Sequence, residues 1–314
     1  MSLDLPPPDP ALPRLPVGVM GAGVFGRHHA GKVSASPRAR LAGVFDPDRG
    51  RAEALAGQHG CAAFDDAEAL IAACEAVTIA APAQAHGALA LAALSADRSV
   101  YVEKPLATVL EEGRALVALA EARNRVLQVG HQERFVFEAM GLLAPDRAAI
   151  RTLESWREGT PSDRGLDVSV TLDLMIHDLD LVRRLIRAPL ARLDARALEG
   201  DPARPDAVEA FLHFEDGAEI TLTASRVAAS RRRGMRLTTA VGEAEIDFLA
   251  RTIQGAAAAG LVADVSALVP DSLGLAIESF LAAARGEAAC PVPGAQALEA
   301  LELALAIDAA CARA

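Results

Sequence analysis

The residues best placed to do chemistry are a lysine at the end of an apolar run, an aspartate–histidine pair in apolar company, and a glycine triplet. Lys104 lies in YVEKPLA, between a β-type run and a proline. Asp173 and His177 lie in TLDLMIHDLDLV, residues 171–182. Gly21, Gly23 and Gly26 space out G-x-G-x-x-G directly after the run VGVM. Oxidising a secondary alcohol requires a base for the hydroxyl proton, a cation for the oxygen that loses it, and a held dinucleotide to accept the hydride. An imidazole titrates in the right range for the base, so His177 fits that part, with Asp173 to orient or relay and Lys104 to stabilise the developing alkoxide. The lysine is conspicuous, because of 31 basic residues only Lys32 and Lys104 are lysine. A lysine kept against that bias offers a compact ammonium that can give up a proton, which arginine cannot.

These groups need elements to position them. Residues 171–187 contain no glycine or proline and project onto a helix at about 100° per residue. Asp173, His177, Asp180 and Arg184 then share an arc of about 60°, with leucines, Met175, two isoleucines and Val182 filling most of the remainder. Charge on so apolar a helix must pair internally or line a cleft. Asp178 falls in the apolar arc, where a structural hydrogen bond is expected. The spacing offers no HExxH and no second carboxylate pair, so no metal is expected.

The glycine triplet sits in a βαβ pattern: a strand-like run, a helical stretch from near Phe25, then LAGVF (41–45) ending in Asp46. Gly21 permits the tight turn, Gly23 admits a pyrophosphate to the backbone, and Gly26 lets the helix pack close with its N-terminus toward the phosphates. Asp46 would accept hydrogen bonds from the adenosine ribose. A carboxylate there repels a 2′-phosphate, so NAD is expected and NADP less so, with Arg49 and Arg51 weakening the preference. Further strands at 76–81, 99–103 and 125–130 alternate with helical stretches at 84–94 and 108–124, which predicts an open parallel sheet. Ligands bind beyond the carboxyl ends of such strands, where Pro82 and Glu103-Lys104-Pro105 fall.

A chain of 314 residues accommodates two domains, and its 52% hydrophobic and 23% charged composition is that of a soluble protein. No apolar run is long enough to span a membrane. The net charge of −11 disfavours nucleic acid, and the one basic cluster, Arg231, Arg232, Arg233 and Arg236, is short. Cys61, Cys74, Cys290 and Cys311 show neither CxxC spacing nor a disulfide framework, which fits a reduced cytoplasm. Residues 1–15 are proline-rich without signal-peptide features and read as a disordered leader. Residues 16–128 then form the dinucleotide-binding domain and 129–314 the substrate domain.

The segments GVMGAGVFGRHHA, VFDPDRGRA, AAPAQAH, VYVEKPLAT, VGHQERF and DLMIHDLDLV occur in the order found in the glucose-fructose oxidoreductase / inositol dehydrogenase / rhizopine-catabolism oxidoreductase family, which the chain resembles over residues 15–314. Ala80 and Ala81 depart from it where a threonine often precedes the proline. The resemblance implies an α/β N-terminal Rossmann domain and an α+β C-terminal domain with a mostly antiparallel, open-faced sheet, whose free face commonly forms a homodimer or homotetramer. It places Lys104, Asp173 and His177 at the catalytic positions. Val24, Phe25, Ala81, Pro82, His86 and Glu103 join the glycines and Asp46 at the cofactor. Segment 156–181 looks like the branch acting on UDP-N-acetylglucosamine at the sugar 3-hydroxyl. Gln132, Arg134, Trp156, Arg157 and Arg164 are then candidate substrate residues, the arginines to neutralise a diphosphate. A free cyclitol or monosaccharide remains the alternative substrate. A non-catalytic, cofactor-binding regulator is the alternative function, one that would have no use for Lys104, Asp173 and His177 together.

Overall fold

The computed structural model describes residues 5–144, 147–162, 166–202 and 204–313, which divide into two compact units. One runs through His131 and takes in Leu273–Leu298; the other comprises Gln132–Ser272 and continues from Glu299.

The first unit is built on six parallel strands: β1 (Leu15–Met20), β2 (Ala39–Phe45), β3 (Ala62–Phe64), β4 (Ala76–Ile79), β5 (Ser99–Val102) and β6 (Leu127–Val129). Their order is β3-β2-β1-β4-β5-β6, the doubly wound arrangement that the alternating sequence pattern predicts. Helices α1 (Val24–Ala35), α2 (Arg49–His59), α3 (Ala67–Ala72), α4 (His86–Ser95) and α5 (Leu110–Ala122) supply the crossovers. β4 and β5 are buried along their whole length, which is why AVTI and SVYV read as unbroken runs rather than alternating ones.

Leu273–Leu298 belongs with this unit and not with the domain expected from residue 129 onward. Tyr101 meets Phe280 edge to face at 5.9 Å, the Gln128 amide donates to the Ala276 carbonyl at 2.8 Å, and Val129 N–H donates to Val292 at 3.1 Å. Residues 5–14 of the proline-rich start are held against this unit, contrary to the expectation of a disordered leader. Proline-rich backbone lacks N–H donors but keeps its carbonyls. Those of Pro6, Asp9 and Pro13 accept from the guanidinium groups of Arg38 and Arg285.

The second unit starts with α6 (Glu133–Met140) and holds a seven-stranded sheet. Its strands are β7 (Ile150–Glu158), β8 (Leu190–Asp201), β9 (Arg204–Phe214), β10 (Glu219–Ser225), β11 (Arg232–Thr239), β12 (Gly242–Asp247) and β13 (Thr252–Gln254). Their order is β13-β12-β11-β7-β10-β9-β8, antiparallel except for β7 with β10. Asp216 and Gly217 lie in the β9–β10 turn, the β11–β12 turn falls at 240–241, and Gly242 opens the next strand. Before α7 (Ile176–Leu185), residues Thr171–Met175 wind as a π-helical turn. The regular 100° projection therefore fails across the segment that carries Asp173. Helices α8 (Ser272–Ala284) and α9 (Gly294–Cys311) complete the chain.

Candidate active site

The glycine turn joins β1 to α1 with Gly21 at φ 99°, a left-handed conformation that glycine adopts without strain. A Cβ on Gly26 would meet the Gly21 carbonyl oxygen, so α1 can pack this close only with glycine there. A Cβ on Gly23 would meet nothing within 4 Å. Open space thus lies in front of the residue that caps α1, no side chain caps the helix, and its first turn holds no acidic group. That is the cradle a pyrophosphate fits. Val24 and Phe25, both exposed, border it.

Asp46, at the end of β2, is tied to the same turn. Its Oδ2 accepts from the Ala22 N–H at 2.7 Å, and its Oδ1 accepts from the Asp48 N–H and the Arg51 guanidinium, each at 2.8 Å. Burial alone would raise the carboxyl pKa, but these hydrogen bonds outweigh it and hold the group below its ordinary range. Oδ2 has one donor for its two lone pairs, so acceptor capacity remains there for a ribose hydroxyl. Asp46→Ala is expected to weaken NAD binding by about 10-fold or more and to narrow the preference over NADP. Titrating both cofactors against wild type and variant checks this, and a wild type that prefers NADP would refute the ribose assignment.

Lys104 follows β5 between two residues that are each held by a buried histidine. The Glu103 Oε1 lies 3.0 Å from His29 Nε2 and 3.5 Å from the Tyr101 hydroxyl. A Cβ on Gly130 would come within 2.7 Å of the same carboxylate, so the neighbouring strand end must be glycine. Burial pushes the Glu103 pKa up, yet His29 and then Lys104 overcome it and keep the carboxyl below its usual range. On the other side, the His86 ring has Nδ1 2.7 Å from the Pro105 carbonyl oxygen and Nε2 3.0 Å from that of Ala81. Burial lowers its pKa, so the ring is neutral near pH 7, and the shorter contact assigns its single proton to Nδ1. His86 is 1% exposed, with both ring nitrogens turned to protein carbonyls.

In the second unit, His177 Nδ1 stands 2.8 Å from Glu133 Oε2, at ion-pair distance though outside hydrogen-bond geometry. Glu133 opens α6, and its other oxygen accepts from Arg157 Nη1 at 2.9 Å. Burial would raise the Glu133 pKa, but His177 and Arg157 drive it well below the carboxylate range. Asp173 and His177 are both half-buried on the turn that enters α7. The arrangement is that of an imidazole whose one nitrogen faces a fixed carboxylate, as a general base requires.

Residues 15–131 match the model of an oxidoreductase family with an NAD-binding Rossmann fold, and residues 147–245 match the C-terminal domain of the same GFO/IDH/MocA group. The chain belongs to this family. It is 35% identical over 267 residues, 85% of each chain, to UDP-N-acetylglucosamine 3-dehydrogenase of Acidithiobacillus ferrooxidans. The solved structure of that organism's enzyme superposes with a TM-score of 0.87 at 32% identity, covering 96% of this chain and 99% of the other. Inositol 2-dehydrogenase of Rhizobium meliloti is 31% identical over 67% of this chain and 68% of its own. As a GFO/IDH/MocA protein the chain is an NAD-dependent sugar dehydrogenase.

Within this GFO/IDH/MocA chain, three of the candidate substrate residues have other work. Arg134 is 2% exposed and forms a two-pronged ion pair with Asp180, taking Asp180 out of any reactive stripe. Arg157, equally buried, grips Asp178 through Nε and Nη2 and Glu133 through Nη1. Asp178 thus has the structural role expected of it, and neither arginine has a guanidinium free for a diphosphate. Trp156 follows strand alternation onto the opposite face of β7 from Arg157, stacked under Arg232 at 5.5 Å and Arg236 at 5.9 Å. Gln132 immediately precedes α6, half-buried, and Arg164 lies outside the described residues.

Two groups that the spacing alone did not single out now stand beside the catalytic candidates. Glu133 is one, and the other is Arg233, directly across the strands from Arg157. Its Nε is buried without an acceptor. Burial and then the Arg157 charge push its pKa down, while Glu133 and Asp178 act on it from nearby.

Proposed function

We propose that this protein oxidises the 3-hydroxyl of UDP-N-acetylglucosamine to a ketone, using NAD. The observation that supports this most is the identity of 35% over 85% of both chains to an enzyme named for that reaction. His177 takes the hydroxyl proton, held by Glu133 and assisted by Asp173. Lys104 stabilises the substrate oxygen as that proton leaves. The glycine turn and Asp46 would hold NAD, which would supply the hydride acceptor, so that alcohol and NAD would balance as ketone, NADH and one proton. Val24, Phe25, Ala81 and Pro82 line the cofactor, while His86 and Glu103 shape its surroundings from below the surface. Gln132 stays a substrate candidate, and Arg233 replaces Arg134 and Arg157 as the partner for the diphosphate. A guanidinium with a buried, unsatisfied N–H is stabilised by an anionic oxygen that completes its hydrogen bonds.

The protein acts in the cytoplasm as a homodimer or homotetramer. Among the described residues no helix is long and apolar enough to cross a membrane. A free cyclitol is the second reading, favoured by the 31% identity to an inositol 2-dehydrogenase.

NADH formation with UDP-N-acetylglucosamine, N-acetylglucosamine, glucose and myo-inositol separates the two. The nucleotide sugar should exceed the free sugars in kcat/KM by about 100-fold or more. Arg233→Met should raise its KM about 10-fold with little change in kcat. Preferred oxidation of myo-inositol would replace the first reading with the second.

A further inference from the structure

We propose that His29 is a positioning residue for Lys104, acting through the buried carboxylate of Glu103. This rests on the assignment of Lys104 to the reaction and adds a residue that the glycine pattern, the Asp46 argument and the aspartate–histidine pair leave unused.

His29 comes from the middle of α1, one turn after Gly26, and is 0% exposed. Its Nε2 faces Glu103 Oε1 at 3.0 Å, while Nδ1 is buried with no hydrogen-bond partner. A carboxylate only accepts, so Nε2 is the nitrogen that donates to Glu103, and this contact helps hold the carboxyl below its usual range and charged. That negative charge lies one residue from Lys104, whose ammonium acts on it electrostatically.

The pair is held on every side. Tyr101 meets the His29 ring edge to face at 5.3 Å and points its hydroxyl at the same carboxylate oxygen, and Gly130 leaves room for nothing larger than the carboxylate. Glu103 N–H donates to the Ile79 carbonyl at 2.9 Å, locking its backbone to β4. Pro105, after the lysine, is fastened through its carbonyl to His86. Lys104 is therefore the middle member of a tripeptide whose two outer members are anchored inside the domain. A side chain of four methylenes has rotamer freedom to lose, and anchoring its backbone on both sides is how a fold places its nitrogen.

The test compares His29→Leu, His29→Gln and Lys104→Met in the NAD-supplemented full chain, using whichever sugar the wild type oxidises. Leucine fills the space without a donor, whereas glutamine returns an N–H near the position of Nε2. His29→Leu should lower kcat about 30-fold, with KM and NAD affinity within about 3-fold of wild type. His29→Gln should recover most of that loss. The pH profile is a second readout. Glu103 is faced by His29, Tyr101, Lys104 and His86, and removing the His29 donor lets its carboxyl take up a proton at higher pH. The acid limb of kcat should then move upward in His29→Leu and return in His29→Gln. If His29→Leu does not fold, Glu103→Gln, nearly isosteric and uncharged, should show the same fall in kcat. Wild-type kcat and pH profile in His29→Leu, or in Glu103→Gln where that stands in for it, alongside an inactive Lys104→Met overturn the proposal and leave the Lys104 assignment intact. Turnover retained in Lys104→Met overturns both.

Discussion

Lys104→Met is expected to reduce kcat by about 100-fold or more while NAD still binds with near wild-type affinity. Methionine preserves most of the length and apolar stem of lysine, so the substitution removes the ammonium and little else. The groups proposed to anchor the cofactor lie elsewhere: the cradle in front of Gly23 and the Asp46 carboxylate that ties down Ala22 and Arg51. An oxygen losing its proton gains negative charge in the transition state, and a cation that meets it only then lowers kcat and kcat/KM together when removed. Steady-state rates paired with a cofactor titration separate the two effects. A variant that turns over like wild type would remove Lys104 from the reaction. A wild type that binds NAD yet oxidises no sugar would favour a regulator on the same fold.

Local patterns in the sequence carried over well where the physics is local. A strand, a glycine turn, a helix and an acidic strand end follow one another within the first 46 residues, and in the fold Gly21 and Gly26 meet at the turn while Asp46 binds the Ala22 N–H beside it. The same kind of reading fails where the partner is remote. Arg134 and Arg157 resemble free cations in a sequence, because Asp180 and Asp178 stand 46 and 21 positions away. The π-helical turn at Thr171–Met175 has no signature in a 100° projection, and it changes where Asp173 falls relative to His177, whereas Asp180 shares the regular helix with His177 and is taken up by Arg134. Trp156 and Arg157 are neighbours on a strand, and alternation forbids both from facing one site. Glu133 also left a trace, as an acidic residue directly after the β6 strand end, although only tertiary packing reveals that it faces His177.

His177→Ala is expected to lower kcat/KM by about 100-fold or more, and Glu133→Gln to change its pH dependence in a direction that can be stated beforehand. Among the groups facing His177 and Glu133 are Arg157 on β7, Asp178 on α7 and Arg233 on β11. Burial works to raise the Glu133 pKa, and the charge of His177 is the largest influence pulling it down. That coupling is reciprocal: a protonated His177 that holds a proton off Glu133 is itself stabilised by the carboxylate 2.8 Å away. A general base works when deprotonated, so activity climbs with pH through its titration. Removing the carboxylate's charge makes the imidazolium easier to deprotonate, and the acid limb of kcat/KM should shift to lower pH. At a pH well above that limb, Glu133→Gln should run slower than wild type by about 10-fold, because a ring no longer held by an ionic partner spends less time aligned. Glutamine keeps a carbonyl oxygen for Arg157, whose other contact to Asp178 is untouched, so the ion-pair scaffold survives the change. An acid limb that persists unmoved in Glu133→Gln but vanishes in His177→Ala assigns the base to His177 and excludes Glu133 from tuning it. A limb that survives His177→Ala sends the search for the base to Asp173.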